Sequence, residues 1–439
     1  MMKTWMPPRW ALALALSLAP MAYGDNGTDA DAASSASTEA GDFAAPEPPA
    51  ATSPAGASAA ATSSGATPAA PAQRPAKENG NSLKVTPYGR IELDAIYSSR
   101  GTNPLDPRQF NGYSTAAGPE RNSSATFNPR FTVLGLMSSY AKDNQAVNAR
   151  IEFDFYSTDQ ANLFTPRLRL AYVQYTRAKT KVTAGMDWLP IASLLPDILD
   201  FSIMGYGGNL WQRIPQFTVR QAIGKHWEVL GTVMRFERGF TLQPRPYVSD
   251  PFNDPVKMPY VGARIAYQNW GAGGQGLFAV SGAYRQFTVP TTDVRSKSSL
   301  VNLEWVIPIR ATLRWSGKWG HGQGLGDEFF RFGQALNGVN PIRTTVGWTQ
   351  LSYGHARWSF AGGWGDDDPN DKDLVGISNN NLNYKHNQRI FANTVYDAFA
   401  HVKLGFEYNY LRTNWTSGDF FKGHQVMASV FYSFGQEEK

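Results

Sequence analysis

The sequence contains no cysteine. Disulfides, thiolate metal sites, a cysteine nucleophile and a lipid-anchored N-terminal cysteine are therefore excluded. Charge is scarce: 18% of residues are Asp, Glu, Lys or Arg, against about 25% in an average globular chain. The net charge of +5 is too small to argue for nucleic-acid binding. Long apolar runs are scarce too. Mean hydropathy is -0.37, which excludes a bundle of membrane-spanning helices, each needing about 20 apolar residues. Aromatic residues, in contrast, abound: 13 Trp, 19 Tyr and 25 Phe in 439 residues. An ordinary soluble surface does not hide so many rings. A transmembrane β-barrel does, because only every second strand residue meets lipid and the average stays polar.

The first 24 residues read as a cleavable signal peptide. Lys3 and Arg9 supply the positive start, Trp10 to Ala19 the apolar stretch, and Ala22-Tyr23-Gly24 the small residues before a cut at Asp25. The run is too short for a membrane anchor and Pro20 ends it. Residues 25–82 are rich in Ala, Pro and Ser, and Phe43 is their one large apolar side chain. Such a segment cannot bury enough surface to offset its ordering entropy, so a disordered periplasmic linker is expected.

From Leu83 the pattern becomes period two, the signature of strands whose side chains alternate between two faces. Ile91, Leu93, Ala95 and Tyr97 share one face; Arg90, Glu92 and Asp94 share the other. The same alternation recurs over residues 149–155, 401–408 and 425–434, and more weakly elsewhere. Connections alternate between long and short. The long gaps fall near 99–124, 157–166, 189–213, 236–259, 288–295, 319–341, 365–387 and 411–423. Seven short links separate them. Eight long and seven short connections predict sixteen strands over residues 83–434, with 14 and 18 as neighbouring counts and 435–439 as a tail. The expected fold is an all-β transmembrane antiparallel barrel with short periplasmic turns and long external loops. Aromatics near strand ends suggest interfacial girdles: Tyr88, Tyr97, Tyr172, Tyr175, Trp188, Trp227, Phe236, Trp305, Trp315, Trp364 and Tyr432.

Several stretches resemble the DcaP-type outer-membrane porins. They are Val85-Thr86-Pro87-Tyr88-Gly89-Arg90-Ile91-Glu92-Leu93-Asp94, Ala149 to Phe155, Leu168 to Val173, and Leu195-Pro196-Asp197-Ile198-Leu199-Asp200-Phe201. The resemblance implies a homotrimer in the outer membrane, among lipid and lipopolysaccharide, passing small anionic solutes such as dicarboxylates. No Walker, Rossmann or hydrolase motif stands in the sequence, so no cofactor and no catalytic residue are expected. The family's Gly-Gln-x-Trp stands here as Gly185-Met186-Asp187-Trp188, which places an acid near the lumen. The family's helix before the barrel is replaced by the Ala/Pro-rich linker. Phe434 resembles the terminal aromatic insertion signal read by the barrel-assembly machinery.

Phasing places Arg90, Arg150, Arg167, Arg169, Arg220, Arg264, Arg285 and Arg314 on the inner face. Glu92, Asp94, Glu152, Asp154, Asp187, Glu304 and Glu407 share it. Arginine's planar fork suits carboxylate and phosphate. Two outcomes are open: unpaired guanidinium groups forming an anion-attracting eyelet, or charges that pair and fill the wall. The third long connection is apolar and Pro-broken, from Leu189 to Asp197. Exposed to water it would be a liability, so it is expected to fold inward and narrow the pore, with Asp197 and Asp200 facing the arginine wall, the alternative being that it packs against a neighbouring subunit. An acidic external loop holds Asp366, Asp368, Asp371 and Asp373. It is a weak Ca²⁺ candidate that lacks the EF-hand glycine and glutamate spacing, so a solvated loop is favoured and no metal is expected. The leading function is a passive diffusion porin. The alternatives are a barrel anchoring an envelope tether and an outer-membrane hydrolase.

Overall fold

A computed structural model describes residues 82–100, 122–156, 164–235, 258–289, 292, 294–326, 329, 334–377 and 384–435. The expected signal peptide, the linker up to residue 81 and Phe236 lie outside the described residues. Sixteen strands form one closed antiparallel barrel. They are β1 (Lys84–Ser98), β2 (Ser124–Asn128 and Val133–Lys142), β3 (Gln145–Asp154), β4 (Arg167–Arg177), β5 (Thr180–Trp188) and β6 (Arg213–Ile223). Then come β7 (Trp227–Met234), β8 (Tyr260–Trp270), β9 (Gly276–Thr288), β10 (Arg295–Arg310) and β11 (Leu313–Gln323). The series ends with β12 (Arg343–His355), β13 (Trp358–Pro369), β14 (Tyr384–Phe399), β15 (Val402–Trp415) and β16 (Phe420–Phe434). Both segments of β2 pair with β1, so Pro129 to Thr132 interrupt one strand rather than separate two. Each strand pairs with its sequence neighbour, and β1 closes on β16 from Gly89↔Phe434 to Ser98↔Gln425.

The pleat decides which residues face out. Ile91, Leu93 and Tyr97 are exposed while Glu92 and Asp94 are buried. On β16, Val430 and Tyr432 point out, and Met427 and Phe431 point in. An apolar outer face is what lipid requires of a closed barrel, in which every strand edge is paired.

Several strands outrun their expected ends. β13 continues to Pro369 and takes in Asp366 and Asp368, and β15 and β16 leave only Thr416–Asp419 as their link. The polarity of these residues suggests loop. They are strand because both faces of a barrel meet water above the bilayer, so polarity no longer marks a break. Three expected girdle aromatics are interior. Tyr88 is buried with its hydroxyl donating to Glu152 at 2.8 Å. Trp188 lies under the Arg213 guanidinium, whose carbon is 5.6 Å from the ring centre. Tyr172 also turns inward, opposite Arg150 in the β3–β4 register.

Candidate functional site

The interior carries two constructions, a ladder of paired charges and a docked segment. The ladder begins on β1, β3 and β4. Arg90 pairs with Glu92 at 2.5 Å and Arg150 with Glu152 at 2.5 Å, each two residues along one strand and therefore on one face. Arg167 grips Asp154 through two nitrogens at 2.9 and 2.7 Å. Arg169 reaches both Glu152 Oε1 at 2.7 Å and Asp154 Oδ2 at 2.9 Å. A bulge permits this double reach: the β3–β4 register jumps from Glu152↔Leu170 to Phe153↔Leu168, leaving Arg169 as the extra residue. An extra residue re-aims its side chain and is inserted at little cost where one strand bends. A second group follows on β6 to β10. Arg220 pairs with Glu228 at 3.0 Å, and Arg264 with Glu304 at 2.9 Å. Arg285 lies over the Tyr260 and Phe287 rings, 4.4 and 5.0 Å from their centres.

The pairs share an asymmetry. The Arg90 side chain is 21% exposed and its Glu92 partner 1%. Arg167 is 22% exposed and Asp154 0%; Arg314 is 31% and Asp197 13%. Arg150 with Glu152 and Arg220 with Glu228 run the same way, and the Arg264–Glu228 contact runs the other. The longer guanidinium stem carries its head past the carboxylate that it neutralises, so arginine forms most of the water-facing layer.

Residues 189–212, between β5 and β6, dock on inward-facing side chains from β9 to β15. Ser281 Oγ donates to the Ile191 carbonyl at 2.5 Å, and Glu304 accepts from the Leu194 amide at 2.6 Å. Glu407 accepts from the Leu199 amide at 2.6 Å, and Asn393 donates to the Asp197 carbonyl at 2.8 Å. Lys318 Nζ donates to the Ala192 carbonyl at 2.9 Å and the Leu210 carbonyl at 2.8 Å, holding both arms of the segment with one ammonium. Leu189, Ile191 and Leu210 pack into an apolar patch that includes Leu230, Met234, Ala283, Leu300 and Val346. At the far end Leu199 joins Ile96, Phe131, Val395, Met427 and Phe431, and Phe201 stacks on Phe131 with ring centres 4.3 Å apart. The segment thus touches the wall at β1 and β2 as well as at β14.

Asp197 meets one expected arginine, accepting from Arg314 at 2.5 Å along with Gln350 at 2.8 Å and Ser352 at 2.7 Å. Asp200 forms a fully buried ion pair with Arg389, which also donates to Asn409 at 2.9 Å and Ser202 at 3.1 Å. Both aspartates therefore fasten the segment to the β11–β14 wall instead of facing Arg90, Arg150, Arg167 and Arg169 across an opening. Asp94 accepts from Ser429, and Asp187 accepts from the Trp188 amide at 2.8 Å. Phe434 ends β16 opposite Gly89.

The acidic stretch over residues 366–373 does not converge. Asp366 pairs with His386, Asp371 with Lys385 at 2.9 Å, and Asp373 with Arg343 at 2.7 Å. Among the described residues no group of three or more His, Asp or Glu is placed to hold a metal ion. Hydrogen bonds from the Arg343 guanidinium and backbone amide hold the Asp373 carboxyl below the usual carboxylate range.

Arg213, Glu228, Lys318 and Arg389 also stand inside the barrel, beyond the charges that the sequence singles out. Lys318 sits in phase with Arg314, and Glu228 in phase with Leu230 and Thr232, so the alternation carried both. Arg389 has the phase of the buried Asn387 and Phe391. Arg213 opens β6 from within the expected loop, where no phase exists.

With the barrel and its interior in view, solved structures of the same fold can be compared. The outer-membrane channel DcaP of Acinetobacter baumannii superposes with a TM-score of 0.65 at 18% identity, over 80% of this chain and 97% of that one. An anion-selective porin from Comamonas acidovorans gives 0.52 at 11% identity, over 80% and 100%. OmpF of Salmonella typhi, in complex with daunomycin, gives 0.53 at 11% identity, over 81% and 98%. The chain shares the barrel fold of these proteins. No protein-family model matches the sequence, and comparison with curated proteins finds no match.

Proposed function

We propose that the protein is an outer-membrane porin, a non-enzymatic channel through which small hydrophilic anions such as dicarboxylates diffuse. One observation carries the reading: in most of the interior ion pairs the guanidinium is more exposed than its carboxylate. A passing anion meets arginine edges, while the acids stand behind them. A pore selects by the charge and width of its narrowest ring, and a docked segment from residues 189–212 supplies the narrowing. The likeness to DcaP and to an anion-selective porin supports the same reading. The proposal includes three subunits per assembly, export by a signal peptide ending at Gly24, and a periplasmic spacer over residues 25–82.

The test is the reversal potential of the refolded chain in a planar bilayer under a KCl gradient. Anion preference, with current steps in groups of three, is expected. The double variant R90Q/R167Q should shift the reversal potential toward cations, because two guanidinium groups leave the water-facing layer while Glu92 and Asp154 stay. Cation preference in the unaltered protein would overturn the anion reading. A folded barrel without conductance would overturn the channel itself.

A further inference from the structure

The outer face of β15 and β16 contains an arrangement that folding alone does not favour. Arg412 and Lys422 are directly opposite in the strand register. Both belong to the outward phase, with Leu404, Phe406 and Tyr408 on β15 and Val430 and Tyr432 on β16, all exposed. Like charges facing each other across an antiparallel pair destabilise it. Neither cation meets a carboxylate among the described residues. Arg412 Nε reaches Asn414 at 3.3 Å, and the two cations flank the Phe420 ring at 5.1 and 5.5 Å from its centre. The neighbouring β14 residue in this row is Gln388, opposite Arg412, which adds an uncharged donor.

The order along the strands is informative. Apolar residues come first, then an aromatic row in which Tyr408 shares a hydrogen bond with His424 at 2.7 Å and Tyr410 stands opposite His424. The cations lie two residues beyond that row, about 7 Å further at strand rise, on the side of the 416–419 link. Acyl chain, interfacial ring and anionic headgroup follow each other at the same depths in a bilayer leaflet.

The geometry points to a phosphate-binding site for an outer-leaflet glycolipid, with Arg412 and Lys422 clamping one phosphate and Phe420 resting on the sugar-level surface. The phosphate removes the repulsion between the cations and gains charge-assisted hydrogen bonds. The inference rests on placing the barrel in an outer membrane and is independent of what the lumen conducts.

The test uses the full chain in detergent, titrated with bisphosphorylated lipid A and with its dephosphorylated form, and read by native mass spectrometry and by the temperature of the heat-modifiable gel shift. The phosphorylated lipid should bind and raise that temperature, and the dephosphorylated lipid should do neither. R412Q/K422Q should weaken binding at least about tenfold, whereas the charge-keeping R412K/K422R should retain it. Conductance of each variant in bilayers shows that the barrel is folded. Equal binding by the dephosphorylated lipid, or unchanged binding by R412Q/K422Q, overturns the site while leaving the channel reading intact. Loss of a specific oligomer in R412Q/K422Q with lipid binding unchanged overturns it in favour of a contact between copies.

Discussion

The Asp200–Arg389 pair is the point at which the docked segment can be released with a single substitution. Both side chains are fully buried, and Arg389 also holds Ser202 and Asn409. Arg389→Met keeps the stem and removes the charge, leaving the Asp200 carboxylate inside with the Ser202 amide but no countercharge. Breaking a buried pair in this way costs about 3–5 kcal/mol. That shifts the ratio of docked to undocked segment by two to more than three orders of magnitude. The barrel closes through backbone pairing that Arg389→Met leaves intact, so the cost falls on the local opening of residues 189–212. Single-channel recording should show larger conductance and frequent flicker, with the heat-modifiable barrel preserved. Asn393→Ala removes donors to the Asp197 carbonyl and to Glu407, costs about 1 kcal/mol, and should leave the channel quiet. Adding Asp200→Asn to Arg389→Met should recover part of the loss, since the orphaned charge is gone. An Arg389→Met channel as quiet as Asn393→Ala, with unchanged conductance, would refute the reasoning.

Three further outcomes are expected. Gly208 has φ +95, and a Cβ there would sit 2.3 Å from the Gly347 carbonyl oxygen and 2.4 Å from that of Asp366; Gly208→Ala should therefore undock the segment and reproduce the Arg389→Met records. Asp373 is depressed by Arg343, so the contact stabilises the 371–374 turn above the unfolded carboxyl value of about 3.9 and is lost as pH falls through the lower folded value. Hydrogen exchange in that turn should accordingly differ between wild type and Asp373→Asn near pH 6 and converge near pH 2. Deleting residues 25–81 should leave bilayer conductance unchanged, since a spacer contributes nothing to the lumen; a closed or non-conducting barrel would reject the spacer reading.

The barrel was legible because one physical rule, alternation about a pleat, is written residue by residue. Ile91 and Leu93 outward with Glu92 and Asp94 inward needed no three-dimensional information. Alternation fails where the chain departs from regular pairing. Arg169 reaches two carboxylates through a bulge that no residue type announces. Tyr88 has the size and position of a girdle residue, yet it shares the inward phase of Arg90 and Glu92, and Arg150 and Glu152 satisfy its hydroxyl there. The inward folding of residues 189–212 was signalled by their greasiness. Its landing place was hidden, because the apolar inner patch of Leu230, Met234, Ala283, Leu300 and Val346 is assembled from four separate strands. The pairing of Asp197 with Arg314 and Asp200 with Arg389 is set by that landing place and not by any local pattern.

The closure of β1 on β16 has a consequence for biogenesis. The N-terminal strand waits for a partner synthesised some 330 residues later, at Gln425 to Phe434. Until those residues arrive, the nascent sheet has two raw edges, each a template for pairing with another chain. Completion is therefore all-or-none: a chain that stops short of its last strand is not a slightly smaller barrel but an open, adhesive sheet. Quality control of this protein can be exercised at a single place, the final fifteen-residue strand Phe420–Phe434, and a factor that holds β1 while testing for that strand would sort finished chains from unfinished ones.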